Sequence, residues 1–107
     1  MTTPIAFTAD QRNHIEALRR NLTQRTQRLI TTEYGAADCG QQWAALCVDE
    51  SADTLVSILV GPGVPGDAAV MAPDGAAVAP GSEFPEAIKA ARFTAMRGWR
   101  ALRRAAH

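Results

Sequence analysis

The chain has 107 residues, the size of one domain and too short for two, so residues 1–107 are read as a single unit. Eleven Lys and Arg balance eleven Asp and Glu, which argues against a globally basic nucleic-acid binder and against an acidic nucleic-acid mimic. The sequence holds no run of about 18 apolar residues, so no membrane span is expected. The opening MTTPIAFTADQRN lacks the charged and long apolar regions of a signal peptide, and two cysteines are too few for a disulfide scaffold. The expected location is therefore the cytoplasm.

Apolar residues make up 47% of the chain, but 21 of them are alanine and only six residues are aromatic, which predicts a thin core of small side chains. The charge is balanced in total and not in place. Residues 1–34 carry a net of +2, residues 35–81 a net of −6 with no Lys or Arg, and residues 82–107 a net of +4. Internal complementarity is the simplest cause, with basic ends flanking an acidic middle within one chain or between two.

Thr8 followed by Gln11 reads as a capping box, and Gly35 reads as the stop of one long first helix. Ile15, Leu18, Leu22 and Leu29 lie on a narrow seam of that helix, ringed by arginines. The seam suits either an ordinary bundle helix or a self-association and partner-docking helix. Asp38 with Gln41 repeats the capping signal and predicts a second helix through Trp43, Leu46 and Cys47 to about Glu50. Cys39 and Cys47 would sit on it, out of disulfide reach, as small buried hydrophobes. The run TLVSILV at 54–60 has the β-branched content of a strand, but Leu55, Ile58 and Leu59 stand at helical spacing. A short helix is preferred.

Residues 61–81 hold five Gly and four Pro, too many for a regular element, although Pro73-Asp74-Gly75 could close a small hairpin. GPGVPG lacks the Gly-Lys-Ser/Thr ending of a phosphate loop. Ser82 reads as the cap of a last helix running to about Ala105. Its inward face is Phe84, Ile88, Ala91, Ala95, Trp99 and Leu102. Phe93 projects from the opposite side among Lys89, Arg97, Arg100 and Arg104. A lone ring in a basic field is a common interface anchor; the plainer reading is a Phe covered by the acidic middle segment.

The expected fold is therefore mainly α, a small helical domain with long first and last helices and a Gly/Pro-rich loop. The alternative is α+β, with a short strand at 54–60 and a hairpin at 68–79. No catalytic constellation stands out. His14 and His107 lack assignable partners, a Cys–His nucleophile pair is not demanded by any spacing, and close-spaced metal ligands are missing. The chain is expected to be no enzyme, with no cofactor and no metal.

What remains is a binding protein. The Arg-rich front RNHIEALRRNLTQRTQRLI, the glycine-proline loop and the Arg-rich end FTAMRGWRALRR together give a layout that resembles the QslA-like small quorum-sensing anti-activators of bacteria. The likeness is one of size and arrangement over the whole chain, so no functional residue is carried over from it. It implies a homodimer that docks on a LuxR-type transcription factor and blocks its dimerisation. The partner surface expected from periodicity alone is Leu18, Leu22 and Leu29 on the first helix with Phe93, Arg97 and Arg100 on the last. Competing readings are a small structural or assembly protein such as a phage adaptor, and a nucleic-acid-binding accessory protein using the last helix.

Overall fold

A computed structural model describes residues 7–105 of the protein. The fold is α+β: helix α1 (Ala9–Thr26), strands β1 (Ile30–Ala36), β2 (Gln42–Val48), β3 (Thr54–Val60), β4 (Ala68–Met71) and β5 (Ala77–Ser82), then helix α2 (Phe84–Ala105). The strands form one five-stranded antiparallel sheet in the order β1-β2-β3-β4-β5, so each strand pairs with its sequence neighbours. This corrects the expected mainly helical fold. His107 and residues 1–6 lie outside the described residues.

Helix α1 opens as its sequence predicts. The Thr8 hydroxyl accepts from the Gln11 amide at 3.0 Å while the Gln11 side chain accepts from the Thr8 amide at 2.9 Å. The helix does not run on to Gly35. Gln27 takes the left-handed conformation (φ 57°) and its N–H returns to the Thr23 carbonyl. The β-branched run Ile30-Thr31-Thr32 then goes to the sheet, where such side chains pack with less rotamer loss than in a helix. Side chains of α1 tie the junction down: the Ile30 amide donates to the Thr23 hydroxyl at 3.2 Å, and Arg19 donates to the Ile30 carbonyl at 3.2 Å.

The predicted helix over residues 38–50 is a turn followed by β2. Asp38 lies in a reversal closed by Ala37 and Gly40, in which the Ala37 amide donates to the Gln41 carbonyl and Gly40 has φ +89°. Strand β2 is apolar on both faces, with Ala44, Leu46 and Val48 in the core and Trp43, Ala45 and Cys47 on the other side. A continuous apolar run of this kind has no period that separates strand from helix. TLVSILV is β3, and its helix-like spacing has a specific cause. A bulge opposite Leu46/Cys47 places both Leu55 and Val56 in the core, breaking the alternation of a regular strand.

Pro73-Asp74-Gly75 turns β4 into β5: the Ala76 amide donates to the Asp74 carboxylate at 2.9 Å and Gly75 has φ +88°. Ser82 ends β5 and does not cap α2 through its side chain. The Phe84 amide at the start of α2 donates instead to the Asp67 carboxylate at 3.3 Å.

Both helices lie on one face of the sheet and run in the same direction. The Phe84 ring meets His14 on α1 at 6.1 Å, while Gly98 lies against Leu55 at the start of β3. The core between the layers is built from Ile15, Leu18 and Leu22 of α1, alternate residues of the strands, and Phe84, Ala87, Ala91 and Ala95 of α2. The three alanines flatten one side of α2, which lets the helix settle close to the sheet. Past Gly98, α2 continues for another seven residues to Ala105, about 10 Å of helix.

Candidate functional site

The six residues expected to carry partner binding separate into two groups. Leu18 and Leu22 are buried under the sheet, so the seam of α1 faces this chain's own core. Leu29 is no longer on the helix; it lies in the connection to β1 and is 56% exposed. Phe93, Arg97 and Arg100 remain together on the outside of α2.

Helix geometry assembles that second group. Phe93, Arg97, Arg100 and Arg104 follow one another at steps of four, three and four, which keeps them on one side of a helix. Ala91, Thr94 and Ala95 on the other side are buried, so the stripe has to face outward. Phe93 is 63% exposed, and the Arg97 guanidinium stands over its ring at 5.9 Å. Such a contact is worth about 0.5–1 kcal/mol at an exposed site and holds the ring and the charge in register. Phe93 is therefore not covered by the acidic middle segment. All these side chains come from one helix, so the surface is a stripe and not a cavity.

Charge sharpens the picture. Lys89 pairs with Glu86 at 3.6 Å, but among the described residues Arg92, Arg97, Arg100, Arg103 and Arg104 make no ion pair. The expected complementarity of basic ends with the acidic middle is realised at one contact among these residues, Arg28 with Glu50 at 3.8 Å. Among the described residues, then, the arginines of α2 have no carboxylate partner.

Cys39 is exposed in the β1–β2 turn, whereas Cys47 is buried on the sheet face away from the helices, with its sulfur 3.6 Å from the Thr54 hydroxyl. This corrects the expectation of two buried cysteines on one helix. His14 lies on α1 with its ring 3.5 Å from the Asp10 carboxylate. Among the described residues no group of three or more His, Cys, Asp or Glu could hold a metal ion, and no helix is long and apolar enough to cross a membrane.

One titration reports on the packing of α1 against β1. Burial raises the Tyr34 hydroxyl above its ordinary value of 10.0, nearby Glu16 raises it further, and Arg12 opposes both. The fold thus favours the protonated phenol. That preference is fully present below the unfolded value and is lost as pH rises through the folded one. Tyr34 is the chain's one tyrosine. Its tyrosinate absorbance is expected to appear at higher pH in the folded protein than in urea, and coincident curves would remove the burial from the account.

Residue periodicity missed a second surface. Trp43, Ala45 and Cys47 of β2, Leu59 of β3 and Met71 of β4 occupy the sheet face that carries no helix. Two signals pointed there: the two-sided apolar run of β2, and Gly35, where any side chain would collide with the Trp43 indole. No protein-family model, curated protein or solved structure matches this chain.

Proposed function

We propose that this chain is a small protein-binding regulator that docks on its partner through the outer stripe of α2. One observation carries the reading: an exposed Phe93 held beneath Arg97 and continued by Arg100 and Arg104, none of these arginines paired within the described chain. A ring that is rigid and already placed loses little entropy on binding, while guanidinium groups recognise carboxylates in a fixed geometry. The partner surface that fits is an apolar pocket rimmed by Asp and Glu. Antagonism of a LuxR-type transcription factor, by withdrawing its monomer from the active dimer, is the specific form implied by the resemblance in layout.

Affinity capture from native lysate with the wild-type chain and with Phe93→Ala/Arg97→Ala tests the reading. The expected result is a stoichiometric protein, a transcription factor on the specific form, whose affinity falls about tenfold or more in the double variant. Thermal stability should stay nearly unchanged, since both side chains lie on the surface. Equal capture by the variant would reject the stripe. The arginines and ring of the same helix favour a second reading, single-stranded nucleic acid, with phosphate contacts and base stacking. Oligonucleotide binding that steepens as salt is lowered and vanishes with Arg97, Arg100 and Arg104 replaced by Ala would replace the protein partner with that one.

A further inference from the structure

The helix-free face of the sheet is as distinctive as the stripe, and it lies on the other side of the molecule. Strand register assigns it Thr31, Glu33 and Gly35 on β1, Trp43, Ala45 and Cys47 on β2, Thr54, Ser57 and Leu59 on β3, and Ala69 and Met71 on β4. Ala45 and Cys47 are buried although they lie outside the core cluster, screened by their neighbours on this face. Trp43 lies across Gly35, which has no side chain to hold it off, so the indole covers the edge strand. Glu33 is the one charged residue in all five strands. By contrast, α2 carries five exposed arginines that make no ion pair among the described residues.

We propose that this face is the surface on which a second copy of the chain packs, sheet against sheet, about a two-fold axis. Its chemistry selects the occupant. A nearly uncharged face sets no like charges against each other when two copies meet and offers nothing to a charged partner. Area agrees. Strands about 4.8 Å apart, about 23 Å long in β1 to β3 and shorter in β4 and β5, give roughly 500 Å² of flat sheet per copy. The two copies together cover about 1,000 Å² before side-chain relief is counted, the size at which a specific interface begins. Sheets stacked about 10 Å apart would enclose Trp43, Leu59 and Met71 as the new core and leave Glu33 at the rim. The α2 stripes then face outward on both sides, so the dimer would present two partner sites.

Sedimentation equilibrium of the full chain tests this without depending on the function proposed above. Wild type is expected to be a concentration-dependent dimer. Leu59→Glu and Ser57→Lys should each weaken self-association by about a hundredfold or more, because each places an unpaired charge between the sheets. Ser57 is already part-exposed, so a lysine there can reach water in the monomer and the fold survives, as an unchanged far-ultraviolet dichroism spectrum would show. Phe93→Ala/Arg97→Ala should dimerise like wild type. A wild type that stays monomeric, a Ser57→Lys chain as dimeric as wild type, or a dimer abolished by the α2 variant alone would each overturn the proposal.

Discussion

Leu22→Ala is expected to destabilise the fold by about 2–5 kcal/mol, while Leu29→Ala leaves it within about 0.5 kcal/mol. The two leucines look equivalent in the sequence, seven residues apart on one helical seam. In the structure Leu22 is wholly enclosed by the sheet and α2, so its removal leaves a cavity that a close-packed, alanine-rich core cannot refill. Leu29 follows the left-handed stop at Gln27 and stands in solvent. For a domain of this size each kcal/mol moves the melting temperature by about 4–8 °C, so thermal unfolding separates the two variants easily. Similar losses at both positions would mean that Leu29 is covered, for instance by a second chain.

The second large effect is expected at Gly35. A methyl group there would overlap the Trp43 indole, and the ring would have to swing off the sheet. Overpacking of this kind costs about 1–3 kcal/mol. The loss should come with a change in tryptophan fluorescence that is absent when Trp43 is also shortened, because Trp43→Leu removes the ring that the methyl group strikes. A Gly35→Ala chain with unchanged stability and fluorescence would show that the indole does not rest on β1.

The start of α1 and the course of α2 were readable because their signals are local, whereas the end of α1 was not. The Thr8/Gln11 capping box and the alternation of buried alanines with exposed arginines on α2 each depend on a few adjacent residues. The sheet was hidden by tertiary effects. In β2, apolar residues on both faces erased the period of two; in β3, the bulge at Leu55/Val56 imitated a helical step. Gly35 looked like a helix stop and is instead a gap for a ring from the next strand, a relation visible only once β1 and β2 are paired. For the same reason helical phase alone places Phe93, Arg97 and Arg100 on one side of α2, whereas Trp43, Leu59 and Met71 become one surface only through strand register.

The order of the strands also bears on how the fold is reached. Each strand meets its own sequence neighbour, so the hairpins can close through short loops and at little entropic cost. The helices that cover them come from opposite ends of the chain and touch each other across the whole intervening sheet. Their docking is the one step that requires distant contact, and it is the step expected to limit the folding rate. During synthesis the complete sheet emerges before α2 does. Until that last helix arrives, Val56, Ile58 and Val70 lack the layer that α2 supplies over β3 and β4, and this part of the nascent sheet shows water an apolar surface on both of its sides.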